Sequence, residues 1–257
     1  MVLTENAPTK AAARSTVTLY LHGHHGGERS MDDLIRSAET DNDAHSVITA
    51  IVRRDGTVRL KGAWPKKTVR PLVKVVFRNN RTMRYHRISN WLRNVLEALQ
   101  SRYGISKFNI VAHSLGNAAV LFYELRYGHD AYLPQLRKYV AIAGNFDGIP
   151  GKHRDQHRNR IMSDGRPEWF APKFKDAMRL RKNFPKKQVK VLNIYGNLGG
   201  GMHSDGKVLN ASSRSLGFLL RRRAKSYREI KIDGWDAQHS VLRTNPQVAL
   251  DVNEFLF

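Results

Sequence analysis

Ile110-Val111-Ala112-His113-Ser114-Leu115-Gly116-Asn117 is the stretch that decides how this chain folds. A run of apolar residues leads into a serine, and small residues lead away from it. A serine held between a buried strand and a following helix sits on a tight, strained turn that lifts its hydroxyl above a sheet. The pattern is G-x-S-x-G, here with Ala112 in place of the first glycine. Small residues at both ends let strand and helix pass closely. The helix that follows turns its N-terminus, with its partial positive charge, toward the serine, where negative charge would develop in acyl transfer.

Working outward, strands and helices alternate. Thr16 to Leu21 is a β-branched and aromatic run that ends at His22-Gly23. Ser30-Met31-Asp32-Asp33 has the form of a capping box and predicts a helix start. Ser46 to Val52 reads as a buried strand, turned by Gly56. Thr57 to Leu60 with Val73 to Phe77 is expected to form or extend a hairpin. Ile88, Trp91, Leu92, Val95, Leu96 and Leu99 recur at helical spacing, closed by Gly104. Further strands are expected at Phe108 to Val111, Tyr139 to Ala143, Val189 to Tyr195 and Glu229 to Ile232. Helices are expected over Gly116 to Tyr127, within Ser204 to Arg223, and after Asn245-Pro246, where an N-cap residue precedes proline. Such alternation predicts an α/β fold with a mostly parallel sheet flanked by helices. In such sheets ligands bind beyond the carboxyl ends of the strands. Ser114, His22-Gly23, the loop after Tyr195 and the loop after Ile232 all fall there.

A serine hydroxyl needs a neutral histidine to take its proton and an acid to orient that histidine. Gln238-His239-Ser240 follows the last strand, which makes His239 the candidate base. Asp205, in Gly200-Gly201-Met202-His203-Ser204-Asp205-Gly206, follows the strand before it and is the candidate acid. The order Ser114, Asp205, His239 is the Ser…Asp…His order of α/β hydrolases. Asp147, one strand earlier, is a rival acid. Asp233 and Asp236 lie nearer His239 in sequence, and both Asp205-Gly206 and Asp233-Gly234 also read as turns. The oxyanion of an acyl-transfer intermediate needs two donors. The backbone N–H groups of Leu115 and His24 are assigned to it. His22-Gly23-His24-His25-Gly26-Gly27 also invites a metal reading. A binuclear H-x-H-x-D-H site would need an aspartate where Gly26 stands, so no metal is expected.

Composition sets limits. A length of 257 residues suits a single domain from residue 14 to 257, after a loose tail over residues 1–13. With no cysteine, disulfides and thiolate chemistry are excluded. No run is long and apolar enough to span a bilayer, and the N-terminus lacks the apolar core of a signal peptide. Lys and Arg number 44 against 22 Asp and Glu, a formal charge of +22. That field attracts anions, and its alternative explanation is a generally basic surface. It also supports a different class of function, a non-catalytic module binding an anionic polymer such as that of a cell wall. No nucleic-acid motif is present. Residues 148–187 break the strand–helix rhythm and read as a basic, lid-like excursion. There Trp169 and Phe170, beside Lys173 and Lys175, are candidate binding residues for an anionic or lipid-like ester.

The runs LHGHHGGERSM, VAHSLGN, LNIYGNLGGGMHSDGKVLNASSRSL and QHSVLRTNP together resemble a family of α/β hydrolases of unknown specificity from Gram-positive bacteria, described as cell-surface hydrolases. The resemblance covers the chain from about Tyr20 to its end. It implies an α/β-hydrolase fold, Ser114 as nucleophile, Asp205 as acid, His239 as base, and a lipase- or esterase-like hydrolase with no cofactor. It implies an extracellular or cell-surface location if a signal was removed, and a cytoplasmic one otherwise. Ala112, and Asn117 where many hydrolases have a second glycine, predict altered packing at the turn. The expected reaction is ester cleavage through an acyl-enzyme. Amide or thioester hydrolysis and acyl transfer are the alternatives that the same three residues would serve.

Overall fold

Every second residue of the first strand faces the same side, and the two resulting faces define the layers. In the computed structural model, which describes residues 16–149 and 159–257, β1 (Val17–Leu21) is buried along its whole length. Val17, Leu19 and Leu21 join one apolar cluster, while Tyr20 joins another. Period-two alternation with both faces apolar is the mark of a strand sandwiched between helices. The chain continues through α1 (Asp32–Asn42), β2 (His45–Val52), β3 (Val58–Gly62), β4 (Pro71–Phe77), α2 (Tyr85–Tyr103), β5 (Lys107–His113), α3 (Gly116–Tyr127) and β6 (Gln135–Ile142). It ends with α4 (Pro172–Leu180), β7 (Lys190–Asn197), α5 (Asn210–Leu220), β8 (Ser226–Asp233) and α6 (Pro246–Leu256). The strand order is β3-β2-β4-β1-β5-β6-β7-β8. Every pairing is parallel except β2 with β3. Helices α1 and α6 cover one face, and α2, α3, α4 and α5 contribute to the cluster on the other.

The helix ends follow local chemistry. Gly104 takes a left-handed φ of 68° and returns its N–H to the Gln100 carbonyl, which stops α2. Asn245 caps α6 by accepting from the N–H groups of Gln247 and Val248. The α3 helix is buried from Gly116 through Leu125, as its nearly continuous apolar sequence requires.

Three expectations differ from the structure. The hairpin joins β2 to β3, and β4 instead runs parallel between β2 and β1. The sequence PLVKVVF has the near-continuous apolar character of an interior strand, whereas β3 is a largely exposed edge. The capping box at Ser30 does not form. Its Oγ accepts from Gly27 N–H at 2.9 Å, and α1 begins at Asp32 with no side-chain cap. The excursion over 148–187 is not surface throughout. Phe174 on α4 and Phe184 just beyond it are fully buried, so this part is a core-packed crossover between β6 and β7. The expected tail over residues 1–13 and the part of the excursion at 150–158 lie outside the described residues.

Candidate active site

Ser114 occupies the step between β5 and α3 with φ of 52°, a left-handed conformation that costs a residue with a Cβ roughly 1–2 kcal/mol. Neighbouring bonds hold it there. Its N–H donates to the Ile142 carbonyl at 2.9 Å, and its carbonyl accepts from Asn117 N–H at 3.0 Å. The Asn117 side chain staples the turn to β6. Its Nδ2 donates to the carbonyls of Ser114 (3.1 Å) and Ile142 (3.0 Å), and its Oδ1 accepts from the Tyr139 hydroxyl at 2.9 Å. A glycine there could make none of these bonds.

Three side chains meet at the carboxyl ends of β5, β7 and β8. Ser114 Oγ lies 2.9 Å from His239 Nε2, and His239 Nδ1 lies 2.7 Å from Asp205 Oδ2. A carboxylate only accepts, so Nδ1 carries the proton, and Nε2 is left to accept from the serine hydroxyl. The group is closed to bulk solvent, with Ser114, Asp205 and His239 at 5, 1 and 2 % exposure. Asp205 serves two ends at once. Oδ1 accepts from the N–H groups of Lys207 (2.9 Å) and Val208 (2.7 Å), and its carbonyl accepts from His239 N–H at 2.9 Å. One carboxylate oxygen of Asp205 thus makes the turn and the other meets the His239 ring. Gly196 makes room for this junction, because a Cβ there would sit 1.9 Å from the Ala237 carbonyl and 3.0 Å from Asp205 Cβ.

The rival acids are engaged elsewhere. Asp147 is buried, and its carboxylate accepts from Ala171 N–H and Asn159 Nδ2, both at 2.7 Å, tying the segment 159–171 to the end of β6. Burial pushes its carboxyl up to about 7. Asp233 pairs at the surface with Asn197 and Lys231. Asp236 is exposed, and its carbonyl accepts from Asn245.

The loop after β1 passes directly over the serine. A Cβ at Gly23 would lie 2.7 Å from Ser114 Cβ, so only glycine allows this approach. Gly23, Leu115, Gly116, Asn79, Asn80 and Thr82 are among the residues that line a small cleft. Leu115 N–H, at the start of α3, has no hydrogen-bond partner among the described residues. The His24 ring donates from Nε2 to the Arg81 carbonyl at 3.1 Å.

Two histidines outside the expected set also build this corner. His22 donates from Nδ1 to the Gly23 carbonyl (2.8 Å) and accepts at Nε2 from Phe77 N–H (3.0 Å), which fixes it as a neutral tautomer. Both nitrogens of this supposed ligand are thus used by the fold. His113 donates from Nε2 to the His239 carbonyl at 2.8 Å, and its ring centroid stands 4.9 Å from that of His239. Burial, followed by the neighbouring His239, pushes the His113 ring down to about 3. It therefore stays neutral at working pH and acts as a fixed prop. Its place next to the serine in sequence was the available signal.

The aromatic pair of the excursion divides. Phe170 packs edge-on against Phe174 at 5.0 Å, lies 6.1 Å from Phe218 and is partly buried against the core. Trp169 is half-exposed, with its backbone bracketed by Asn159. It makes no hydrogen bond or ring contact with Ser114, Asp205 or His239. Larger cavities lie away from the three residues. One of about 870 Å³ flanks the start of α2, and one of about 710 Å³ lies among β7, β8 and α5. Among the described residues no helix is long and apolar enough to cross a membrane.

The profile of the family described as "Alpha/beta hydrolase of unknown function (DUF915)" matches residues 5–257. No curated protein matches the chain. Among solved structures, the product of gene lin2722 from Listeria innocua is 26% identical, with 94% of each chain covered and a TM-score of 0.84. The "putative cell surface hydrolase" of Lactobacillus plantarum WCFS1 is 22% identical, with 95% of this chain and 92% of that one covered and a TM-score of 0.77. Carboxylesterase CesB (YbfK) from Bacillus subtilis shares the fold at 12% identity and a TM-score of 0.51, over 97% of this chain and 85% of that one. The strand order, the helix layers and the match over nearly the whole length agree, and the chain belongs to the α/β-hydrolase family of unknown function, DUF915.

Proposed function

We propose that this hydrolase is a serine esterase that cleaves a carboxylic ester through an acyl-enzyme. Ser114 Oγ attacks the acyl carbon while its proton passes to His239 Nε2. The carbonyl oxygen becomes an oxyanion, received by the N–H groups of Leu115 and His24 at the positive end of α3. Asp205 keeps the imidazole in the Nδ1–H tautomer and stabilises it once charged. The intermediate collapses, and the alcohol leaves with the proton from Nε2. Water then attacks the acyl-Ser114 ester, giving its proton to His239. Collapse of this second intermediate returns the proton to Ser114 Oγ and releases the acid.

The observation that carries this reading is the unbroken hydrogen-bond chain from Ser114 to His239 to Asp205, at 2.9 and 2.7 Å, on a serine held at φ 52°. A non-catalytic polymer-binding module has no need of a buried strained serine on a histidine. The test is a panel of p-nitrophenyl esters from acetyl to palmitoyl, run on the wild type and on Ser114→Ala. Turnover of at least one ester that disappears in the variant is the expected result. Equal turnover by the two proteins would overturn the reading.

A further inference from the structure

Arg78-Asn79-Asn80-Arg81-Thr82-Met83-Arg84-Tyr85-His86-Arg87 carries an arginine at every third position between the end of β4 and the first turn of α2. All four side chains are exposed. None of them makes an ion pair or a side-chain hydrogen bond among the described residues, and neither does nearby Arg54. Arg36, Arg93, Arg160, Arg179 and Arg214 each hold a carboxylate, whereas Arg29, Arg53, Arg59, Arg181, Arg222 and Arg228, like these four, hold none among the described residues; what sets the four apart is their regular clustering beside the serine loop. Like charges gathered without partners repel, and an anion relieves that repulsion.

The backbone under these side chains is fixed to the loop over the serine. His25 N–H donates to the Asn80 carbonyl at 2.9 Å, Asn80 Nδ2 donates to the Gly26 carbonyl at 2.7 Å, and the His24 ring donates to the Arg81 carbonyl at 3.1 Å. The surface depressions join as well. Asn79 and Asn80 line the small cleft beside Gly23 and Leu115, and they also line a cavity of about 630 Å³ with Arg54, Arg78 and Arg81. Arg54 in turn lines the cavity of about 870 Å³ that holds Arg84 and Arg87. A cationic path therefore runs from the neighbourhood of Ser114 to the start of α2. The cations flanking it are Arg93, further along α2, and Lys173 on α4, each paired with an acid. Asp55 is the acid on its rim.

We propose that this arginine path binds phosphate groups of the ester that Ser114 cleaves, so that the substrate is an ester carried on a molecule bearing more than one phosphate. The inference rests on the serine-esterase reading. Arginine suits the role, because its planar fork meets phosphate with two parallel hydrogen bonds, which a lysine cannot do. Two cavities in series that share Arg54 call for more than one anionic group.

The test uses the full chain and two p-nitrophenyl esters with the same acyl chain, one ending in phosphate and one in hydroxyl. The wild type should favour the phosphate ester in kcat/KM, less so at high salt. In R78Q/R81Q/R84Q the ratio of phosphate to hydroxyl ester should fall about tenfold, the scale of losing charge-assisted contacts in a partly screened site. K66Q/K67Q/K186Q removes the same charge from exposed residues that line none of these cavities, and it should leave the ratio within about twofold. An unchanged ratio in the arginine variant, or an equal fall in the lysine variant, overturns the proposal. Calorimetric binding of the phosphate ester to Ser114→Ala, with and without the three arginines, reads the site even if neither ester is turned over. Equal affinity there also overturns it. If the esterase reading alone is wrong, neither ester is hydrolysed, yet the arginine-dependent binding survives. Inorganic phosphate and linear polyphosphate as competitors separate the sources. Much stronger competition by polyphosphate is expected, and equal competition would overturn the claim of more than one phosphate.

Discussion

The corner around Ser114 and the arginine path beside it are neighbours built on opposite rules. At the corner the polar side chains are buried and matched: Ser114 to His239, His239 to Asp205, Asn117 to two carbonyls and a hydroxyl, His113 to the His239 carbonyl. Along the path the charged side chains are exposed and unmatched, and only the backbone is fixed. Burial with every bond satisfied gives geometry, because a group that would otherwise be left unpaired holds its neighbours in one arrangement. Exposure without partners gives attraction, because an unspent charge remains available to a ligand. Under the two proposals, bond breaking belongs to the first region and recognition to the second.

The comparison breaks most readily at the corner. Ser114→Ala and His239→Ala should each lower ester turnover by at least about three orders of magnitude while the melting temperature stays near that of the wild type. The double variant should be little worse than either single one, because the two residues act as a unit. Steady-state rates with calorimetric melts check this. Asp205→Asn should cost roughly two to four orders of magnitude in kcat, since an amide cannot hold the Nδ1–H tautomer in the same way. Asp147→Asn and Asp233→Asn should stay within about threefold. A collapse in Asp147→Asn with a mild effect in Asp205→Asn would reverse the assignment.

A third environment sharpens the contrast. Glu124, on α3 with Asn117, is buried, and neither carboxyl oxygen has a partner among the described residues. Burial pushes its carboxyl from the ordinary 4.5 up to about 8. Folding therefore takes up a proton at this site. That contribution to stability is complete below the ordinary value and is lost as pH rises through about 8. Glu124→Gln should remove the loss, so that between pH 5 and pH 9 the unfolding free energy from urea titrations falls less in the variant, a difference on the order of a few kcal/mol. An identical pH slope in both proteins would show that this carboxyl gains a partner. The smallest effect expected is none at all. Dialysis against a strong chelator should leave ester turnover unchanged, since both His22 nitrogens are used by the fold.

The candidate site residues are more legible in the sequence than the pairing of the strands. Ser114, Asp205 and His239 each stand in a short run whose chemistry is local, and strand ends gather such runs at one edge of a parallel sheet. Pairing is not local. Nothing in Thr57 to Leu60 or Val73 to Phe77 taken alone says which strand lies beside which, so the sequence places the hairpin one strand too late. The apolar sequence of β4 held the correcting signal. The Ser30 pattern matched a capping box, yet the Oγ bonded to Gly27, because a side chain takes the donor that the loop presents. Phe170 beside Trp169 looked like one aromatic pair, but only the fold decides that one ring is packed and the other exposed. His113 is hard to read from the sequence, because its work is a bond to a backbone carbonyl distant in sequence.

The most direct test of the central claim is labelling of the intact protein with a fluorophosphonate, read by mass spectrometry of the peptide around Ser114. The account predicts one adduct on Ser114 Oγ, formed much more slowly in His239→Ala and absent in Ser114→Ala. No adduct on the folded wild type, or an adduct on another residue that persists in Ser114→Ala, would contradict it.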